Sequence, residues 1–287
     1  MKIEGPLIPG KFVERPNRFI TLVEVEGKIV RSHLPDPGRL KELLIPGAEL
    51  LLHPSPEGSQ RKTKFSTVMV RHESELISLV STLPNRFIKE LLKENTLPIL
   101  KDFQYVRAEP SCGNHRFDFL LNDVNGYPFY LEVKSVTYVE NGLAKFPDAV
   151  TERGARHANA LAELALNGTG AGILFVCQRS DASKFEPMWD RDPKFSQALL
   201  KANQRGVHVW CITSQMSETE MTFKREIPVN LIPPELNNFR ITTSDYFEKM
   251  RLHYCFIRYC MVDLFMCCRI ISWWWAQGRN TPYINIG

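Results

Sequence analysis

The 287-residue chain has no C-x-x-C pair, and its seven cysteines are an odd number. Both facts argue against a zinc knot and a disulfide framework. With Cys112, Cys177 and Cys211 standing singly, they point to a reducing, cytoplasmic setting. No charged-then-apolar leader opens the chain: residues 1–10 hold Glu4 and the turn-formers Gly5, Pro6 and Pro9. Uninterrupted apolar runs of membrane-crossing length are missing. The nearest, residues 252–276, is broken by Arg258, Asp263 and Arg269, and each such charge costs about 2.5–3.5 kcal/mol at a membrane centre. No membrane partner is therefore expected. There is no internal repeat and no low-complexity tract. An excess of one charge is scarcely present: the formal net charge is +4, which permits a nucleic-acid partner without requiring one.

What is present is ordinary globular material, 44% hydrophobic and 24% charged, in a chain long enough for one large or two modest domains. Residues 12–80 read as short strands between turns, at 19–25, 28–34, 48–53, 65–72 and 76–80. A short helical run at 39–44 follows Pro37-Gly38. Five strands with one helical insertion predict a small OB-like β-barrel. Beyond residue 83 the pattern changes. Helices are predicted at 84–95, 149–166 and 195–203, and strands at 103–109, 116–121, 129–138, 172–177 and 207–212. That order predicts a mixed-sheet α/β domain with helices on both faces. The expected architecture combines the β and α/β classes in two domains, an OB-like barrel over residues 1–82 and an α/β domain over 83–234. Residues 235–287 hold four of the seven cysteines and the run Trp273-Trp274-Trp275. That composition suits neither a surface nor a core, and the segment reads as an unselected extension outside the fold.

The chemistry is concentrated in one predicted hairpin. Arg116-Phe117-Asp118-Phe119-Leu120-Leu121 and Phe129-Tyr130-Leu131-Glu132-Val133-Lys134 flank a turn at 122–128. Side chains two apart on a strand share a face, so Glu132 and Lys134 project together, and a suitable register brings Asp118 alongside. Two carboxylates and a lysine can hold Mg²⁺ or Mn²⁺ near a phosphodiester. The ion takes hard oxygen ligands, and the lysine orients water or offsets developing charge. The alternative is a cross-strand salt bridge on a solvated face. The apolar neighbours Phe117, Phe119, Leu131 and Val133 argue against it, because unexplained charge is costly on a central strand.

Further cations follow. Arg153, Arg156 and His157 fall at i, i+3 and i+4 of a predicted helix, a face of nitrogen donors suited to phosphate; alternatively Glu152 pairs with Arg156 on a solvated surface. Gly154, inside that helix, costs about 1 kcal/mol relative to alanine, so a strand or DNA is expected to approach its backbone. In the barrel half, Lys11, Arg15 and Arg18, and the loop cations Arg61, Lys62 and Lys64, either track phosphates or are merely solvated. Arg39, at a predicted helix start, is either a phosphate ligand or a neighbour of the cap.

Longer motifs surround these residues: Leu131-Glu132-Val133-Lys134-Ser135-Val136-Thr137 and Phe146-Pro147-Asp148-Ala149-Val150-Thr151-Glu152-Arg153-Gly154. Arg116-Phe117-Asp118-Phe119, His33-Leu34-Pro35-Asp36-Pro37-Gly38-Arg39 and Arg205-Gly206-Val207 accompany them. On these motifs the chain resembles the sugar fermentation stimulation protein A family over about residues 10–232. The resemblance implies an N-terminal OB-like domain and a C-terminal domain similar to PD-(D/E)xK nucleases. It also implies DNA binding with little sequence preference and a link to the regulation of sugar use, maltose in particular. The nuclease-like signature maps onto Asp118 with Glu132-x-Lys134, and Glu90 is similar in placement to an additional metal-binding acid, its alternative being a solvated helix glutamate. The expected function is DNA binding with a divalent-metal site. The competing expectation is an active Mg²⁺-dependent nuclease, with Asp118, Glu132 and the Val133 carbonyl holding the ion.

Overall fold

The computed structural model describes residues 1–56 and 58–234, and the cysteine- and tryptophan-rich extension lies outside the described residues. Alternating apolar residues build the first layer. The strands β1 (Ile8–Asn17), β2 (Ile20–Val25), β3 (Lys28–His33), β4 (Glu49–Pro54), β5 (Phe65–His72) and β6 (Glu75–Ser78) form one sheet in the order β3-β2-β1-β4-β5-β6. It closes on itself because β3 also pairs β5, in parallel, with Ser32 opposite Phe65. Five strands thus make the expected OB barrel, and β6 is a hairpin onto the far end of β5. Phe12, Val23, Leu34, Leu50, Leu52 and Val70 are among the residues that fill it. Three buried hydroxyls cross the interior: Thr67 Oγ1 lies 2.7 Å from Thr21 Oγ1 and donates to Ser32 Oγ at 2.8 Å.

Two local expectations differ. β1 is a strand despite Pro9, Gly10 and Pro16. It pairs β4 through Ile8–Lys11 and β2 from Lys11 onward, passing between partners at Lys11, just after Gly10. A Cβ on Gly10 would lie 2.7 Å from Val23 Cγ1, so only glycine permits the close approach. Residues 39–44 form no helix. The chain makes a single turn, closed by the Leu44 N–H donating to the Leu40 carbonyl at 2.8 Å, with Leu40 buried in the left-handed region at φ 52°.

The α/β part follows as α1 (Leu83–Lys93), β7 (Gln104–Ala108), β8 (Ser111–Cys112), β9 (His115–Arg116), β10 (Phe119–Asn122), β11 (Pro128–Val136), β12 (Val139–Glu140), β13 (Leu143–Phe146), α2 (Glu152–Leu166), β14 (Gly170–Cys177), β15 (Lys184–Pro187), α3 (Pro193–Gln204), β16 (His208–Met216) and β17 (Met221–Ile227). The main sheet runs β17-β16-β14-β11-β10-β7, with β11, β14 and β16 parallel and the outer pairs antiparallel. β14 is apolar and buried nearly throughout, as a central parallel strand must be. Its residues alternate between two cores. Leu174 and Val176 pack with Phe87 and Ile88 of α1, whereas Ile173 and Phe175 pack with Leu161 of α2 and Leu199 of α3. Helices therefore cover both faces.

α2 starts at Glu152, three residues later than the pattern predicts. Thr151 caps it, accepting from the Gly154 N–H at 3.0 Å, while the Thr151 N–H donates to Asp192 at 2.7 Å. Asp192 also caps α3 through Phe195 N–H at 3.0 Å, so one buried carboxylate ties both helix starts together. The room at Gly154 serves this junction: a Cβ would lie 2.8 Å from the Thr151 methyl and 3.1 Å from Phe195. Among the described residues, no helix is long and apolar enough to cross a membrane.

Candidate functional site

The predicted 116–121 strand is broken, and the break creates the site. Phe117 packs into the core shared with α2 and α3, and Phe119, two residues on, packs into the core shared with α1. Side chains two apart on a regular strand would share a face. The chain instead rolls over at Asp118, between β9 and β10. The carboxylate is left at the sheet rim, where Oδ2 accepts from the Val133 N–H of β11 at 2.7 Å and Oδ1 from Asn85 of α1 at 2.6 Å. Phe119 faces Leu131 in the ladder, so Glu132 is the next residue along.

Glu132 is only 3% exposed, and alternation along β11 carries Lys134 to its side. Its Oε1 accepts from Lys134 Nζ and lies 2.7 Å from His157 Nδ1. The His157 ring is held edge-on to Phe117, with centroids 5.6 Å apart. The second oxygen, Oε2, is buried with no partner among the described residues.

These contacts divide the two acids electrostatically. Burial pushes the Asp118 carboxyl up to about 6, with the Glu132 charge adding to the shift, and the bonds from Val133 and Asn85 and the charge of Lys134 only partly offset it. Burial also pushes Glu132 up, but the hydrogen bond from His157 and the charge and hydrogen bond of Lys134 outweigh it, leaving that carboxyl below its ordinary value.

Asp118, Glu132 and Lys134 all line one cleft of 550 Å³. Its other wall comes from the loop before α2 and from Asp36–Gly38 in a turn of the barrel. Asp148 joins these walls: Oδ2 accepts from the Leu40 N–H at 2.9 Å, and Arg191 donates to Oδ1 at 2.9 Å. Asp36 folds the turn by accepting from the Gly38 N–H at 2.7 Å. A Cβ on Gly38 would meet Asp36 Oδ1 at 2.9 Å and Asp148 Oδ2 at 3.4 Å, so glycine allows the turn to seat here. The motifs around Asp36 and Asp148, far apart in numbering, meet across this cleft.

Known proteins share this sequence pattern and fold. A family model described as the sugar fermentation stimulation protein RE domain matches residues 82–220. One described as the SfsA N-terminal OB domain matches residues 13–79. The chain belongs to the sugar fermentation stimulation protein family. A homolog from Clostridium tetani is 38% identical over 231 residues, 80% of this chain and 100% of the relative. A Clostridium botulinum homolog is 40% identical over 221 residues, 77% of this chain and 96% of the relative. The solved structure of Pyrococcus furiosus SfsA, in complex with Ca²⁺, superposes with TM-score 0.72 at 29% identity, over 80% of this chain and 98% of the other.

In this family member the remaining candidate residues are scattered. Arg18 and Arg153 line the cleft. His157 lies on the same helix as Arg153 but is buried against Glu132, so it is not part of an exposed phosphate-binding face, and Arg156 is exposed outside the cleft lining. Glu90 does not reach the acids. It sits on the outward side of α1, 3.8 Å from the N-terminal amine, and Asn85 is the α1 residue at the site. Arg15 is engaged in folding the barrel turn: its guanidinium donates to the carbonyls of Gly38 and Arg39 at 2.7 Å and of Arg18 at 2.8 Å. Arg39 is exposed, but no helix begins there. Lys11 is exposed on the barrel beside Glu24, Glu26 and Glu49. Arg61, Lys62 and Lys64 are exposed on the loop before β5. Asn85, and the role of His157, had no signal in the sequence, because both depend on which helix face meets the hairpin.

The donor set fits a hard divalent cation of the hydrated kind. Among the described residues, no three His, Cys, Asp or Glu side chains form a ready-made cage. Magnesium-like ions keep several waters and need only one or two carboxylates. Glu132 Oε2 and the desolvated Asp118 carboxylate supply that number.

Proposed function

We propose that the cleft binds DNA by its phosphodiester backbone, with a Mg²⁺ or Mn²⁺ ion held by Asp118, Glu132 and the Val133 carbonyl. The observation that carries this reading is the pair of desolvated carboxylates beside Lys134, one with a buried oxygen that has no partner among the described residues. Two acids confined in one cleft repel each other, and a cation relieves that repulsion. The Ca²⁺ complex of the Pyrococcus furiosus relative supports a divalent ion in this family. Arg18 and Arg153 on the cleft walls supply charge for phosphate oxygens.

Hydrolysis of the bound strand is the second reading, and the position of Lys134 favours it. A bound ion would polarise the phosphoryl oxygens and lower the pKa of a water. Lys134, 15% exposed on the cleft wall, is placed to orient that water or offset charge at the phosphate. His157 holds the Glu132 carboxylate in place. In this reading the link with sugar use runs through nucleic-acid binding.

The test is to incubate duplexes, nicked duplexes, single strands and RNA with the protein in Mg²⁺, in Mn²⁺ and in chelator, beside a Glu132→Ala/Lys134→Ala variant. Metal-dependent cutting absent from the variant supports hydrolysis. Retention without cutting, weakening steeply with salt, supports binding alone. No retention of any nucleic acid at low salt overturns both.

A further inference from the structure

A second concavity, of 430 Å³, adjoins the acid cleft where the barrel meets α1. The two share a boundary in the chain itself. Asp36, Ser81 and Asn85 line the cleft, whereas their neighbours Pro35, Val80 and Arg86 line the groove. The ridge between them is tied by Ser81 Oγ donating to the Pro35 carbonyl at 3.1 Å. Consecutive helix residues thus serve different sites: Asn85 holds Asp118 at the cleft, and Arg86, the next residue round α1, lines the groove.

The charge of the two hollows differs. In the cleft, Arg18, Lys134, Lys145 and Arg153 are matched by Asp36, Asp118, Glu132 and Asp148. Among the described residues, the groove has Lys2, Arg61 and Arg86 against Glu4, with His53 in addition. Lys2, Arg61 and Arg86 are exposed, and none makes an ion pair with another described residue. Lys62 and Lys64 extend the same cationic loop. Under the cations the floor is aliphatic, with Met69, Val80 and Leu83 beside Pro35 and Pro54. A duplex presents phosphates but hides the faces of its bases. Apolar side chains beneath a cationic rim can meet base faces only where those bases are unpaired, and the rim tracks the backbone as cationic grooves for single strands do.

We propose that this groove receives the unpaired continuation of a nucleic-acid strand whose backbone lies in the acid cleft. The inference rests on the cleft reading above and adds a direction and a strand state to it. Arg61 and Arg86 take phosphates on either side of the groove, and the aliphatic floor takes the base between them. The strand leaves the cleft over the Pro35–Ser81 ridge.

Fluorescence anisotropy with labelled single strands and the matching duplex tests this, using the full chain over a range of salt. Arg61→Ala/Arg86→Ala is compared with Arg153→Ala in the cleft, and Arg61→Lys/Arg86→Lys serves as the rescue. None of these side chains carries a structural hydrogen bond or ion pair among the described residues, and thermal melting checks that each variant folds. The groove double variant is expected to bind single strands roughly tenfold more weakly, with the slope of log K against log salt reduced by about 1.4, at ~0.7 for each of two lost contacts. Duplex affinity and Mn²⁺ binding, titrated without nucleic acid, are unchanged, and the lysine pair restores most of the single-strand affinity. Wild-type single-strand affinity in the groove variant, with loss in Arg153→Ala, overturns the groove and leaves the cleft reading standing. Equal losses for duplex and single strand overturn the unpaired-strand assignment. No binding by the wild-type chain removes both readings.

Discussion

The barrel and the α/β sheet each bury polar side chains, in opposite ways. In the barrel, Thr21, Ser32 and Thr67 are fully buried and bond to one another, so a neutral network closes on itself. In the α/β sheet, Glu132 leaves one oxygen without a partner among the described residues, and Asp118 is held where its ionised form is disfavoured. A satisfied neutral network ties strands together at little cost. An under-satisfied charged pair costs stability, and it persists where something outside the chain completes it. The contrast separates a structural device from the candidate site.

Four measurements break or sharpen that contrast. The largest effect is expected from Glu132→Gln, which keeps the shape and removes the charge; Mn²⁺ binding followed by calorimetry is expected to disappear while the chain still folds. Measurable wild-type affinity in that variant would remove the carboxylate from the metal's ligands. Asp118→Asn comes next, in chelator. A carboxyl raised from 3.8 to about 6 binds its proton more tightly folded than unfolded. Wild-type stability therefore falls as pH rises from about 4 to about 6, by up to roughly 3 kcal/mol. The asparagine variant lacks that fall, so it is more stable than wild type at pH 7 and similar below pH 4. Asn85 can turn its amide to meet the new NH₂ group. Urea denaturation at the two pH values reads the difference, and an equal effect at both would contradict the desolvation argument.

His157→Ala is expected to weaken Mn²⁺ binding about 10–100-fold, because Glu132 loses the contact that orients it. Binding at wild-type strength would reduce His157 to a packing residue. Thr67→Val gives the smallest change. Two buried hydroxyls lose their common partner, costing about 1–2 kcal/mol in urea denaturation. That loss does not vary between pH 4 and pH 8 and leaves metal binding untouched. A pH-dependent loss would mean that the barrel network is not the closed neutral device its geometry indicates.

Parts of the architecture were legible in the residues because their signals are local. The Glu26-Gly27 turn between alternating runs marks β2 and β3, and the unbroken apolar stretch at 172–177 marks the strand that becomes β14. β1 was hidden, because two prolines and a glycine read as a break, whereas the strand changes partners at Lys11 and uses Gly10 for the close approach to β2. The turn at 39–44 looked helical because Leu40, Leu43 and Leu44 are spaced as a helix stripe. They are instead buried in the barrel core by a chain that turns once.

Sequence by itself determined that Glu132 and Lys134 share a face, since a strand alternates, and that two domains of different pattern follow one another. Tertiary structure alone decided that the chain rolls over at Asp118, that Asn85 rather than Glu90 meets it, and that His157 turns inward to Glu132. It also set the motif around Asp36 against the one around Asp148, through the bond from the Leu40 N–H. The physical reason is range. Alternation and turns are written in neighbouring residues, whereas the position of a carboxylate depends on which helix, more than thirty residues away, packs over the rim where its strand ends.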